Sequence, residues 1–145
     1  MKHYDEGISE FLADRPVTVD PSLPDNVKIV LLSLGNPANL PFGRELWNYS
    51  LVDSVAKVNE PLLVLIGKKD LQVDWEANGK PLEKAAAGNP GASFVYPENA
   101  NHVLKYEGTP KETLTGLNAI ANYNSPSAVL DDEAVNAIIN WLKKF

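Results

Sequence analysis

The sequence predicts an α/β fold, a short parallel sheet of two to three strands flanked by helices and preceded by a helical segment. Leu62–Ile66 is a continuous apolar run set between Pro61 and Gly67, and Ser93–Tyr96 is a second strand-like run ended by Pro97, with a helical stretch between them. An uninterrupted apolar run marks a strand buried on both faces, the habit of parallel sheets. A crossover that contains a helix returns the chain in the same direction, so the pair is parallel.

Met1, Tyr4, Ile8, Phe11 and Leu12 recur at helical spacing and predict a first amphipathic helix that ends near Arg15-Pro16. Pro16, Pro21 and Pro24 mark an extended connector, and Pro24 suits the first turn of a second helix. Val27, Val30, Leu31 and Leu34 give that helix an apolar face. Ile29 and Leu32 blur it and leave a strand as the competing reading, and Gly35-Asn36-Pro37 stops the element either way. Leu46, Trp47, Leu51, Val55 and Val58 predict one or two short helices before the strand at Leu62. Asp74 is placed to cap a helix whose regular part runs from Pro81 to Ala87, with Gly88 as its stop. Residues 110–123 are helical in part. The last helix starts at its N-cap Asp131, with Asp132 and Glu133 at the positive end of the dipole. Leu130 and Val135 are spaced as a hydrophobic staple, and Val135, Ile138, Ile139 and Leu142 form the expected buried stripe.

The composition excludes several functions. The chain of 145 residues has a formal net charge of −6, which repels phosphate backbones, so no nucleic-acid partner is expected. With no cysteine, disulfides, thiolate metal sites and a cysteine nucleophile are ruled out. The apolar run at Leu62 is too short to span a membrane. Asp5 and Glu6 stand where a secretory leader would be apolar, which makes the cytoplasm the expected compartment.

Polar residues gather just after each expected strand, as Gly67-Lys68-Lys69-Asp70 and as Asn99-Ala100-Asn101-His102. Ligands collect at the carboxyl ends of parallel strands. Adjacent strands would set Asp70 and His102 on one rim, the arrangement in which a carboxylate orients an imidazole base. Asp74 is a rival acid, but its position fits an N-cap better. Asp70, Asp74, Glu98 and His102 could in principle surround a cation. No second histidine is near and no His-x-x-x-His occurs, so neither metal nor cofactor is expected.

These residues carry a family resemblance. The stretch from Val55 to Val73, with Pro61 leading an apolar strand into Gly67-Lys-Lys-Asp70, resembles the penultimate-strand signature of the α/β-hydrolase superfamily. Tyr96-Pro97-Glu98-Asn99-Ala100-Asn101-His102 is similar to that family's loop after the last strand, and the segment from Asp132 to Lys144 resembles its closing helix. The resemblance implies a partial α/β-hydrolase fold, with residues 55–145 as the C-terminal part of the core and residues 1–54 as a helical cap-like segment. It implies Asp70 as triad acid, His102 as triad base and a small-molecule acyl substrate, in an esterase-like serine hydrolase.

The family's nucleophile sits on Gly-x-Ser-x-Gly, a strained strand-to-helix turn. This chain has none, and the nearest imitation, Leu31-Leu32-Ser33-Leu34-Gly35, begins with a bulky residue and runs into Asn36-Pro37. The expectation is therefore an acid-and-histidine half, inactive alone, whose open sheet edge pairs with a missing N-terminal half or with a second copy in a homo-oligomer. The alternative is a non-catalytic interaction module on the same scaffold.

Overall fold

The computed structural model describes residues 2–145. It falls into two compact units, Met1–Ser50 and Leu51–Phe145. The first is helical: α1 (Lys2–Leu12), α2 (Asp25–Leu34) and α3 (Leu40–Asn48). Met1, counted on the apolar face of α1, lies outside the described residues. Phe11 and Leu31 are fully buried. The Arg44 guanidinium lies 5.6 Å from the Phe11 ring and its Nε donates to the Phe11 carbonyl at 2.7 Å, while Trp47 meets the same ring edge-on at 6.0 Å. Residues 27–34 are helical, as their spacing indicates, but Val30 of the expected face is exposed. The reason lies in the neighbour: α1 approaches α2 at Gly7, where a Cβ would come within 3.1 Å of Leu31, so contact concentrates on that one side chain. Pro24 stands just before the helix rather than inside its first turn.

The second unit is mixed α/β. It holds α4 (Leu51–Val55), β1 (Leu62–Leu65), α5 (Lys80–Ala85), β2 (Ala92–Val95), α6 (Gly116–Tyr123) and α7 (Asp132–Leu142). β1 and β2 are parallel, with Leu62 opposite Ala92 and Leu65 opposite Val95. β2 begins one residue earlier than its sequence suggests. Side chains alternate across a strand. Leu62, Ala92 and Phe94 therefore share one face and pack on Val55, Leu82, Ala85 and Ala86 from α4, α5 and the turn that ends α5. Ser93 points to the other face, where Lys144 from the end of α7 reaches it at 3.5 Å. The sheet is thus flanked by helices on both faces.

Two burial expectations fail for one reason. β1 is half-buried at every position rather than enclosed. In α7 it is Ala134, Val135, Ala137, Ile138 and Trp141 that turn inward, while Ile139 and Leu142 are exposed. Among the described residues the sheet has only these two strands. So narrow a sheet offers too little surface to cover a full helical stripe, and among the described residues no strand pairs with the outer edge of β1. No helix among the described residues is long and apolar enough to cross a membrane.

Past the strands the ladder gives way to a tight crossing. Ile66 N–H donates to the Val95 carbonyl at 3.2 Å, Lys68 N–H to Pro97 at 2.9 Å and Lys69 N–H to Ala100 at 3.1 Å. Gly67 lies against the Ala100 carbonyl, where any Cβ would overlap its oxygen. Only glycine permits this approach. Gly67→Ala is therefore expected to cost about 3 kcal/mol or more, because backbone rather than a yielding side chain must move. Urea denaturation measures it, and an unchanged midpoint would show that the crossing is not tight.

Candidate active site

The loops that leave β1 and β2 bring Asp70 and His102 together. His102 Nδ1 lies 2.9 Å from Asp70 Oδ2. The other oxygen, Oδ1, accepts backbone N–H groups from Gln72 at 2.7 Å and Val73 at 3.0 Å. The carboxylate is thus gripped by its own loop, an Asx arrangement, and its free oxygen is aimed at the imidazole. Burial is uneven: the Asp70 side chain is 5 % exposed and that of His102 35 %. An ionised carboxylate offers only acceptors, so in the neutral ring Nδ1 carries the proton and Nε2 the lone pair. Among the described residues no group hydrogen-bonds to Nε2.

The histidine turn is built by Asn101, which is 1 % exposed. Its Oδ1 accepts from Val103 N–H at 3.1 Å and Lys105 N–H at 3.0 Å, while its backbone N–H donates to the Lys105 carbonyl at 2.9 Å. Leu104 closes the turn in the left-handed region, at φ 57°. Asn101 Nδ2 is buried without a partner. The turn is tied outward too: Asp131, the N-cap of α7, donates its backbone N–H to the Leu104 carbonyl at 2.9 Å.

Glu107 is a buried carboxylate that the sequence did not single out. Oε1 accepts from Thr109 N–H at 2.9 Å and Oε2 from Asn122 Nδ2 at 2.8 Å. Burial pushes its pKa up, but the hydrogen bonds from Thr109 and Asn122, with nearby Lys69, outweigh this and hold it below the ordinary value. The only sequence signal was weak: a glutamate beside Gly108 reads as a solvated turn residue.

The other acidic candidates lie elsewhere. Asp74 caps a single wide helical turn, Trp75–Gly79, accepting from Glu76 and Ala77 N–H at 2.9 Å each, and pairs with Lys111 at 3.1 Å. Glu98 pairs with Lys68 at 2.7 Å. Among the described residues no group of three or more His, Cys, Asp or Glu gathers as metal ligands do. Ser33 lies within α2, not on a strand-to-helix turn. No family model, curated protein or solved structure matches the chain.

Because the folded pKa of Glu107 is depressed, its stabilisation is complete above the ordinary value of 4.5 and is lost as pH falls through the lower folded value. Glu107→Gln is expected to flatten the acid limb of the stability profile, measured as urea midpoint against pH. A mutant whose midpoint falls as steeply as the wild type below 4.5 would contradict the assignment.

Proposed function

We propose that this chain is the acid-and-histidine part of a serine-type hydrolase of the α/β-hydrolase superfamily, acting on esters or related acyl substrates. The observation that carries the reading is the 2.9 Å bond between Asp70 and His102, on loops that leave neighbouring parallel strands. In the complete site His102 Nε2 takes the proton of a serine hydroxyl as its oxygen attacks the substrate carbonyl. The same nitrogen then returns the proton to the departing alcohol oxygen. Asp70 holds the Nδ1–H tautomer and stabilises the imidazolium formed between the two steps. The serine and one oxyanion-binding N–H would come from an elbow, and the second N–H from an earlier loop, neither of which is among these 145 residues. No cofactor is needed on this route.

The edge of β1 that no strand among the described residues pairs with supports a docking role for the nucleophile-bearing half, since an open strand edge presents a row of N–H and C=O groups. A second copy of the chain is the competing occupant. The absent nucleophile favours one other reading, a non-catalytic interaction module that keeps the scaffold.

In the complete enzyme, His102→Ala is expected to lower kcat on the order of 10⁶-fold, as loss of a triad histidine does. Hydrolysis of p-nitrophenyl acetate measures it. Undiminished turnover in the folded variant would remove the catalytic reading and leave the interaction module.

A further inference from the structure

The Asp70–His102 bond fixes one edge of the imidazole but not its faces. A ring held by one hydrogen bond still rocks about it, and a base needs its lone pair fixed in direction as well as present. The imidazole has an aromatic neighbour that the proposed mechanism does not use. The Tyr123 ring, in the last turn of α6, lies 6.3 Å from the His102 ring, centroid to centroid, with their planes 32° apart.

Tyr123 is itself held from several sides of the site. Its hydroxyl oxygen accepts from Gln72 Nε2 at 3.2 Å. The backbone N–H of that glutamine is one of the donors gripping Asp70. The Tyr123 carbonyl accepts from Lys105 Nζ at 2.6 Å, and Lys105 belongs to the histidine turn. The preceding residue, Asn122, is anchored on buried Glu107. Hydrogen bonds thus run from His102 through Asp70 and Gln72 to Tyr123, whose ring lies beside that of His102. The first turn of α6 is exposed by contrast: Leu117 is 84 % exposed, and no described atom beyond its own helix backbone and chain neighbours lies within 4 Å of the position a Gly116 Cβ would take.

We propose that Tyr123 is a positioning residue for His102, a wall on one imidazole face that Gln72 ties to the acid loop. This rests on the acid–histidine reading and adds to it. With that face covered, the ring keeps one orientation on Asp70, and Nε2 addresses a single direction. The aromatic ring supplies the wall and the hydroxyl supplies the tether, so phenylalanine should preserve most of the effect and alanine should not.

The test is NMR on the full chain with labelled histidine and tyrosine. In the wild type, cross-peaks between Tyr123 and His102 ring protons are expected, and their absence would overturn the proposal whether or not any variant folds. The His102 Nδ1–H proton should exchange with solvent about tenfold faster in Tyr123→Ala, through freer local opening, and near the wild-type rate in Tyr123→Phe. Unchanged exchange in a folded Tyr123→Ala would overturn the positioning role. Asp70→Asn separates the two readings. If it abolishes the Nδ1–H signal while Tyr123→Ala leaves exchange unchanged, the wall fails and the acid–histidine pair stands. If the signal survives Asp70→Asn, both fail.

Discussion

The close approach of Gly67 to the Ala100 carbonyl is the constraint on which the rest of the second unit depends. Parallel strands deliver their carboxyl ends to the same rim, but strand pairing alone leaves the following loops free to diverge. Here the loops remain in contact through Lys68 N–H on Pro97 and Lys69 N–H on Ala100. That contact sets the distance between the residue three places after Gly67 and the residue two places after Ala100. A side chain at position 67 would push those loops apart, disturbing the Lys69–Ala100 hydrogen bond directly and with it the pairing of the aspartate and the histidine.

From that crossing outward, each polar group is committed to holding another. Asp70 spends one oxygen on its own loop and one on His102. Asn101 uses its side-chain oxygen to build the turn that presents the histidine. Glu107 anchors α6, and α6 brings Tyr123 to the imidazole. A buried network of this kind is worth forming only when nearly every member is satisfied. The exception, Asn101 Nδ2, sits within the histidine turn itself. The order this imposes is what an imidazole base requires, since proton transfer depends on geometry before it depends on basicity.

Much of this was legible in the sequence, and the failures share a cause. The apolar run at Leu62 and its proline and glycine boundaries announced β1. The Pro81–Ala87 pattern announced α5, and Asp131 announced the start of α7. The spacing that put Asp70 and His102 after adjacent strands anticipated their meeting. What failed was burial: the stripe of α7 and the enclosed strand presume a wider sheet than the chain contains. Periodicity tells which residues are apolar, not how much surface is present to cover them. Glu107, Gln72 and Tyr123 were illegible because their roles arise from contacts across long stretches of chain, and none has a local pattern that separates it from an ordinary surface residue. Asn101 was half legible, since an asparagine before the histidine fits a turn, but its complete burial does not show in the sequence.

The acid–histidine pair stands on Asp70 holding the neutral His102 ring with its proton on Nδ1 and its lone pair on Nε2. The ¹⁵N shifts of the two ring nitrogens, recorded on the full chain at a pH where the ring is neutral, measure this directly. A protonated Nδ1 and a bare Nε2 are expected. A neutral ring with its proton on Nε2, the form free histidine favours, would contradict it.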